Sequence, residues 1–325
     1  MKASVPRVSV VIPTRARTDL LMRCLTALLN QTLQPTFYEI LVVDDGPTEE
    51  TRHAVEKLAA HAPFPAVRYL HTRGATGPAA ARNQGWRNAA AEIIAFTDDD
   101  TVPAPGWLEN GIASLYSDAV AVSGRVAMDL PDLPTDYERN AFGLASAEFV
   151  TANCFCRRQA LEDVGGFDEQ FTAAWREDSD LHFTLLEAGG RIVAARDAVV
   201  HHPIRPAPWG ISLKQQRNNR FEALLYKKHP ALYRSKVGGA PASYYINVGL
   251  LLAGVAFYLM AAEVPAAFCA LAWVVQTGLF CWQRVRRNSH APGHLMEMVM
   301  TSILIPPVAV FWRLYGAFKS RVWFA

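Results

Sequence analysis

The sequence predicts an α/β protein with a doubly wound, mostly parallel sheet, followed by an apolar C-terminal helical hairpin. Short apolar runs at Val8–Ile12, Ile40–Val43 and Ile93–Phe96 alternate with segments of helical spacing. Repeated strand–helix units favour a parallel sheet with helices on both faces. After residue 236 the composition changes, because Glu263 is the only charged residue between Val237 and Gln283.

The other elements of the first 210 residues follow from the same periodicities. A polar segment with two prolines, 129–140, predicts a loop. We expect a catalytic and ligand-binding domain over 1–210, a basic amphipathic linker helix over 211–236 and a membrane-anchoring region over 237–325. The pattern predicts helices over 17–30, 49–60, 78–90 and 178–188 and strands at Val67–Leu70, Ala119–Val122, Thr151–Cys156, Ile192–Ala194 and Val199–Val200.

The apolar C-terminal region predicts two membrane spans, at about 243–262 and 264–283. Each is close to the roughly 20 residues that cross a bilayer core. Basic residues before and after the pair favour a cytoplasmic position for both ends. The alternative is a buried helical hairpin in a soluble protein. A third stretch contains Pro306 and Pro307, and we expect an interfacial or re-entrant segment over 296–325.

Bulk composition limits the partners and the compartment. The net charge of the 325 residues is only +2, which gives no support for nucleic-acid binding. The five cysteines lack the spacing of a secreted disulfide framework, which favours a reducing compartment. The first residues lack the apolar core of a signal peptide. We therefore expect the inner (cytoplasmic) membrane, with the catalytic domain facing the cytoplasm.

Three consecutive carboxylates, Asp98, Asp99 and Asp100, directly follow the apolar run at Ile93–Phe96. Ligands of open α/β sheets bind at the carboxyl ends of strands, where residues near Thr14, Asp45 and Asp98 should meet. Three adjacent acids repel one another unless a cation lies between them, and a divalent metal carrying a phosphate ligand would neutralise them. A solvated acidic turn is the alternative.

Four further groups are candidates for chemistry, each with a structural alternative. Asp44 and Asp45 end a strand and could accept hydrogen bonds from a nucleobase or ribose, or form an ordinary turn. Arg82 lies one turn into a helix with a glycine-rich entry, which suits phosphate or is a simple helix start. Acids at 177–180 begin a helix, where the dipole alone favours them, but one could be a catalytic base. His201 or His202 could bind a metal or phosphate, or lie on the surface.

Together these residues resemble the family-2 glycosyltransferases with the GT-A fold. The matching stretches run in the family's order and cover roughly residues 7–205. They are Val10–Thr14, Val42–Gly46, Ala81–Gly85, Thr97–Asp100, Gly165–Asp168 and Glu177–Leu181.

The resemblance implies an inverting transfer of a single sugar from a nucleotide-sugar, most often a UDP-sugar, to a lipid-linked, saccharide or other membrane-proximal hydroxyl. It implies Asp178 as the catalytic base and Mg²⁺ or Mn²⁺ at Asp98 and Asp100. The metal ligands could include His201 or His202. Acceptor-side residues would be Gly166, Phe167, Asp168 and Glu177. Donor-binding residues would be Pro13, Thr14, Arg15, Asp44, Asp45, Arg82, Asp98 and Asp99.

The sequence departs from the family's processive synthases. These carry Q-x-x-R-W after the base, whereas the corresponding region here reads Gln215–Phe221 and does not match. We therefore expect a non-processive enzyme. Two alternatives stay open, a sugar-phosphate nucleotidyltransferase and a non-catalytic subunit of a membrane complex. The first predicts a glycine-rich loop after the first strand, but Pro13–Arg17 contains no glycine.

Overall fold

The computed structural model describes residues 5–61, 64–115, 118–239 and 241–323. The chain divides into two compact units. The first unit combines residues 1–129 with 143–203, and the second combines 130–142 with 204–325. The short segment 130–142 therefore belongs with the C-terminal part of the chain, which its position in the sequence does not indicate.

The first unit is built on one eight-stranded sheet. Its strands are β1 (Val8–Thr14), β2 (Tyr38–Asp44), β3 (Ala66–His71), β4 (Ile93–Thr97), β5 (Val102–Pro103), β6 (Ala119–Ala127), β7 (Asn153–Arg157) and β8 (Arg191–His201). Its α-helices are α1 (Thr18–Leu29), α2 (Glu49–His61), α3 (Pro78–Asn88), α4 (Trp107–Ser114), α6 (Arg158–Val164) and α7 (Glu177–Glu187), whereas α5 (Asp136–Phe142) belongs to the second unit. Short 3-10 turns occupy Pro35–Phe37 and Gly143–Ser146.

The strand order is β3-β2-β1-β4-β7-β6-β8-β5, and the sheet is mixed. Strands β3, β2, β1 and β4 are parallel, whereas β7 is antiparallel to both of its neighbours. The predicted α/β class with a doubly wound sheet is confirmed. The antiparallel strand was not predicted, because apolar periodicity reports a buried strand without its direction.

Both faces of the sheet are covered, which explains the continuous apolar runs in the sequence. Successive side chains of a strand point to opposite faces. Val10 therefore packs in a cluster with Leu21 of α1, whereas Val11 packs in a second cluster with Ala81 of α3. Every residue of β1 and β2 is buried. A strand buried on both sides leaves its carboxyl end as the natural place for polar chemistry.

The second unit is helical. Residues 211–236, predicted as one linker helix, form a series of short segments. The α-helices are α5 (Asp136–Phe142), α8 (Ile211–Gln215), α9 (Glu222–Lys228), α10 (Pro230–Leu232), α11 (Ala242–Leu259), α12 (Glu263–Val285) and α13 (Pro292–Ser320). A 3-10 turn at Gln216–Phe221 and a π-turn at Tyr233–Val237 complete the series.

Helices α11 and α12 form the predicted C-terminal hairpin, and α11, α12 and α13 are each long and apolar enough to cross a membrane. Helix α13 runs without a break through Pro306 and Pro307. The predicted segment 296–325 is therefore one long helix over its first 25 positions, and its last two residues lie outside the described residues. Likewise, residues 136–142 form a helix where the sequence predicts a loop.

Candidate active site

The carboxyl ends of β1, β2 and β4 bring the sequence-predicted acids to one edge of the sheet. Thr14 is in register with Asp44 across β1 and β2. The Thr14 hydroxyl donates to Asp99 Oδ2 at 2.7 Å, which joins the end of β1 to the turn after β4. Because parallel strands end on the same side, residues far apart in sequence share this edge.

The three carboxylates of the triplet have different partners. Asp98 Oδ1 accepts a hydrogen bond from Arg82 Nη2 at 2.7 Å. Asp99 is fully buried, and its Oδ1 lies 3.0 Å from Arg17 Nη2. Asp100 Oδ1 lies 3.5 Å from His202 Nε2. The mutual repulsion of the acids is thus relieved by cations from α3 and from the turn after β1, with His202 at the end of β8.

Asp98, Asp100 and His202 form a candidate metal centre. Each offers one ligand atom, and these atoms lie within 4.8 Å of one another. Carboxylate oxygens and an imidazole nitrogen are suitable ligands for Mg²⁺ and Mn²⁺. His201 ends β8 and is exposed, whereas the His202 side chain is 13% exposed and faces Asp100. Of the two histidines, His202 is therefore the one placed beside the carboxylates.

Arg82 connects the triplet to the acids at the start of α7. Its Nη1 donates to Glu177 Oε1 at 3.1 Å, and the residue is only 2% exposed. Asp178 is the next residue, and its Oδ1 accepts a hydrogen bond from the backbone N–H of Ser179 at 2.6 Å. Arg176, which precedes the pair, has a left-handed φ of 73°, a strained conformation for a residue with a Cβ. The chain bends sharply where it presents these carboxylates.

Burial changes the acidity of these groups. It raises the pKa of Asp178, and together with the charge of Asp178 it raises the pKa of Glu177 to about 8. Burial also raises the pKa of Asp99 to about 6. Burial acts in the same direction on Asp98, but Arg82 and His202 offset it, so its pKa is lowered. One carboxylate of the candidate metal centre is thus kept ionised, while the pair on α7 holds protons more tightly than free acids do.

The two acids at the end of β2 differ in access. Asp44 is fully buried, with its carboxylate accepting hydrogen bonds from the Gly46 N–H at 3.0 Å and the Tyr69 hydroxyl at 3.0 Å. Asp45 Oδ1 accepts from the Gly77 N–H at 2.7 Å, which anchors the loop before α3. Its Oδ2 lies 3.6 Å from Arg15 Nη1, whose side chain is 67% exposed. Asp45 therefore lies beside an exposed cation, whereas Asp44 is fully buried.

Two family models match the chain. The model of glycosyl transferase family 2 matches residues 9–168. The model of glycosyl transferase family group 2 matches residues 93–312, more than half of the chain. The chain belongs to glycosyltransferase family 2. It is accordingly a glycosyltransferase, and the predicted family and enzyme class are confirmed.

Curated relatives agree with this assignment. The glycosyltransferase AglE of Haloferax volcanii is 31% identical over 66% of this chain and 72% of its own length. The pre-mycofactocin glycosyltransferase of Mycobacterium tuberculosis is 31% identical over 61% of this chain, but the match spans only 43% of that protein. A validoxylamine A glucosyltransferase of Streptomyces hygroscopicus is 27% identical over 70% of this chain and 58% of its own length.

A solved structure agrees with the fold. The mannosyltransferase of Pyrobaculum calidifontis, determined with GDP-Man and Mn²⁺, superposes with a TM-score of 0.64. The superposition covers 96% of this chain and 88% of that protein, at 19% sequence identity. At this identity the likeness establishes the GT-A fold of this family-2 chain, and the ligands belong to the relative.

The stretch Gly166–Asp168 is held against α3. Asn83 donates from Nδ2 to the Phe167 carbonyl at 2.9 Å, and its Oδ1 accepts from the Phe167 N–H at 3.0 Å. A Cβ on Gly166 would lie 2.6 Å from Asn83 Oδ1, so a side chain there would break this contact. The Phe167 ring is buried against Phe96, with ring centroids 5.3 Å apart. In the family-2 fold of this chain, Phe167 therefore lies in the core beneath the site.

Sequence reasoning missed Arg17, Tyr69 and Asn83, which all contact site residues. Arg17 lies 3.0 Å from Asp99 and 3.7 Å from Asp100. It follows β1 by three residues, at the edge where the acids meet, and that position was the available signal. Tyr69 contacts Asp44 through strand pairing, since β3 aligns Tyr69 with Val42. That pairing is long-range and leaves no local sequence pattern.

Proposed function

We propose that this glycosyltransferase moves a single sugar from a nucleotide-sugar to a hydroxyl of a lipid-linked or membrane-proximal acceptor, with a divalent cation and inversion at the anomeric carbon. One observation carries the proposal. The candidate metal ligands Asp98, Asp100 and His202 meet at one sheet edge, and Arg82 joins Asp98 to the acids at the start of α7. The Arg82 side chain thus connects the proposed cation site to the acids that include the proposed catalytic base.

Asp98, Asp100 and His202 would hold the cation, and their donor set fits Mg²⁺ or Mn²⁺. Once bound, such a cation neutralises the charge that builds on a leaving diphosphate. The positive charge of Arg82, which lies 2.7 Å away, lowers the pKa of Asp98 and keeps this carboxylate ready to bind a cation. Asp99 is fully buried between Thr14 and Arg17 and would support the donor site from beneath.

Asp178 would act as the general base. It would take the proton from the acceptor hydroxyl as that oxygen attacks the anomeric carbon and the bond from this carbon to the diphosphate breaks, so a single displacement inverts this centre. Its raised pKa makes it a better proton acceptor than a solvated aspartate. Glu177, which the sequence assigned to the acceptor side, instead pairs with Arg82 and would hold the start of α7 in place.

The nucleotide would lie against the ends of β1 and β2. Asp45 is the better candidate than Asp44 for contact with the base or ribose, because Asp44 is fully buried with both oxygens bonded. Pro13 and Thr14 end β1, and the exposed guanidinium of Arg15 beside Asp45 would meet the donor's negative charge. The loop on the acceptor side would be shaped by Gly166, Phe167 and Asp168, which would take no part in the reaction.

Two nucleobases are candidates for the donor nucleotide. Uridine is the commonest base in the family that the sequence resembles, whereas the Pyrobaculum mannosyltransferase was solved with GDP-Man. Both classes present a diphosphate to the proposed cation site. A test of donor identity must therefore include UDP- and GDP-sugars.

The apolar helices support a membrane location. Helices α11 and α12 meet the length and hydropathy of membrane spans, and most of their side chains are exposed. We propose that this hairpin anchors the enzyme in the inner membrane, with its basic flanks and the first unit on the cytoplasmic side. The acceptor would then be a molecule held at that surface.

The test is a donor screen on the detergent-purified full chain. A specific UDP- or GDP-sugar should raise the melting temperature only when Mg²⁺ or Mn²⁺ is present, because a ligand that binds the folded state stabilises it. The stabilising donor should then support sugar transfer or slow hydrolysis. A panel without any metal-dependent stabilisation would overturn the proposal.

The two alternatives make different predictions. A sugar-phosphate nucleotidyltransferase would release pyrophosphate from an NTP and a sugar phosphate, and the family assignment does not favour it. A non-catalytic subunit would bind no donor in calorimetry with metal present. Transfer by the purified chain excludes this second alternative.

A further inference from the structure

Helix α13 is long and apolar enough to cross a bilayer, yet one face of it is buried along its whole length. The buried positions recur at helical spacing from its first turn to its last. They are His294, Met298, Thr301, Ser302, Ile305, Pro306, Ala309, Val310, Arg313 and Gly316. The groups that contact this face determine whether the helix can cross the membrane.

The first half of the face binds polar groups. His294 Nε2 accepts a hydrogen bond from the backbone N–H of Asp136 at 3.0 Å. Glu297 Oε1 accepts from the Gly210 N–H at 2.7 Å. Arg284 Nη1 donates to the Thr301 and Ser302 hydroxyls at 2.8 and 3.0 Å. Arg284 lies in the last turn of α12, so these contacts are made at one end of that helix.

The second half of the face binds polar groups as well. The Tyr233 hydroxyl donates to Glu222 Oε2 at 2.8 Å and is also hydrogen-bonded by Arg313. Glu222, Tyr233 and Arg313 are each at most 6% exposed. At Gly316 the helix meets backbone, because a Cβ there would lie 2.3 Å from the Arg220 carbonyl oxygen. The last turns of α13 are thus fixed to the segment 216–237.

These contacts leave too little free helix for a span. From Ser302 to Arg313 the helix advances by 11 residues, which is about 17 Å at 1.5 Å per residue. A helix must cross a hydrocarbon core of about 30 Å to span the bilayer. The segment that α13 contacts would have to enter the membrane with it, and charged side chains are costly there. The cations of this segment and of the preceding helix α8 are Lys214, Arg217, Arg220, Lys227, Lys228, Arg234 and Lys236.

We propose that α13 lies in the plane of the membrane surface, with its exposed face inserted among the lipid headgroups and upper acyl chains. That face is apolar at helical spacing, as expected of an interfacial helix. Its exposed residues are Met296, Val299, Met300, Ile303, Leu304, Phe311, Leu314, Tyr315 and Phe318.

Charge and continuity identify the lipid surface as the occupant of this face. Lys214 and Lys227 are exposed on the short helices packed against α13, where they can meet headgroup phosphates. The Arg217 guanidinium lies 5.7 Å from the ring centre of Trp312, so a cation and an aromatic ring occupy the same edge. Helix α13 also packs on α11 and α12, the proposed spans. The inference shares the membrane attachment of the proposed function but not its transfer chemistry.

Depth measurements on the full chain in phosphatidylcholine–phosphatidylglycerol vesicles test this inference. Nitroxide labels are placed one at a time on cysteines substituted for exposed residues, and their collision rates with oxygen and with a water-soluble nickel chelate report depth. Four native cysteines are buried and Cys281 is half-buried, so the unsubstituted chain measures background labelling. The α13 positions are Met296, Met300, Leu304, Phe311 and Phe318, and the control positions in α11 and α12 are Leu252, Val255 and Val275.

An in-plane helix places all five α13 labels at one shallow depth, about 5–10 Å below the headgroup boundary. A crossing helix would instead distribute Met296 and Phe318, which are about 33 Å apart along the axis, through the bilayer thickness. A trend in depth from Met296 to Phe318, or five labels in water, would overturn the inference. Deep α11 and α12 labels test the anchoring hairpin separately, since they can fail while the α13 labels stay shallow.

Discussion

Arg82 donates a buried hydrogen bond to Glu177, with 3.1 Å between Nη1 and Oε1 and side chains only 3% and 4% exposed. The same guanidinium group binds Asp98 through Nη2 at 2.7 Å. One side chain on α3 thereby sets the distance between the end of β4 and the start of α7. Since breaking a buried pair strands a charge, this arrangement is expected to be rigid. Arg82 thus holds the proposed cation site and the proposed base at a fixed distance from each other.

Replacing Arg82 by Lys should lower sugar transfer by up to about 100-fold, because a single ammonium cannot bind Asp98 and Glu177 with the planar two-nitrogen geometry. Steady-state kinetics at saturating Mn²⁺ would measure the loss, expected mainly in kcat. Arg87→Lys is the matched control, since it lies on the same helix with a side chain 52% exposed. Equal activity of the two variants would contradict the proposal that Arg82 positions Asp98 and Glu177.

Asp178→Asn should reduce transfer by about 100- to 10,000-fold, the usual contribution of a general base. The amide keeps the shape of the side chain but cannot take a proton, so donor binding and the melting temperature should change little. Asp163→Asn, an exposed substitution in the first unit, serves as the control. Full activity of Asp178→Asn would remove this residue from the mechanism.

Activity should fall on the acid side at a higher pH than an ordinary aspartate would cause. The base acts in its deprotonated form, and burial raises the pKa of Asp178 above its ordinary value of 3.8. As the pH falls, Asp178 therefore takes up its proton, and activity is lost, while a free aspartate would still be ionised. A profile of log(kcat/KM) against pH, at saturating cation, would measure the midpoint.

The neighbouring Glu177 titrates as part of the same pair, with a pKa raised to about 8 by burial and by the charge of Asp178. Glu177→Gln cannot ionise, so it should remove any inflection near pH 8 and retain the acid-side fall. An acid-side midpoint at or below the ordinary aspartate value of 3.8 in the wild-type chain would contradict the assignment of Asp178.

His202→Gln should weaken Mn²⁺ binding by more than about tenfold, because the variant loses the imidazole ligand beside Asp100. His201→Gln is a matched control one residue away, on the exposed side of β8, and should bind Mn²⁺ as the wild type does. Paramagnetic resonance of free Mn²⁺, with a nucleoside diphosphate present, gives both affinities. A larger loss of Mn²⁺ affinity in His201→Gln than in His202→Gln would contradict the assignment of His202 as the metal ligand.

Local sequence patterns are enough to propose the acids of the candidate site, but they do not indicate the residues that contact those acids. Asp45, Asp98 and Asp178 follow local signals, since each stands at the end of an apolar run or the start of a helical pattern. Tyr69 and Arg17 reach the site through strand pairing and a turn, which local periodicity does not encode. The acids could therefore be proposed as candidates from the sequence, whereas the contacts that shift their pKa values depend on the fold.

The same distinction applies to the helical unit. The hairpin α11–α12 follows directly from two uncharged segments. In contrast, α13 continues through Pro306 and Pro307 because its buried face packs against distant segments, which outweighs the local preference for a break. Residues 136–142 are helical in contact with distant parts of the chain, where Arg139 Nε donates to Asn288 Oδ1 at 2.5 Å. Tertiary contacts decided both outcomes.

Gly85→Ala should destabilise the first unit by about 1–3 kcal/mol, the usual cost of overpacking a core. A Cβ at Gly85 would lie 2.2 Å from Val11 Cγ1 and 3.2 Å from Val43 Cγ2, so α3 would be pushed away from β1 and β2. Alanine favours helices by about 1 kcal/mol over glycine, but that gain is smaller than the expected clash. Gly143→Ala is the control, because no atom of the described residues lies within 4 Å of its added Cβ. Thermal unfolding in detergent measures both variants. Since α3 also carries Arg82, a Gly85→Ala chain that melts earlier should lose transfer activity as well, and one that keeps wild-type stability would show that β1 and α3 adjust more freely than their packing indicates.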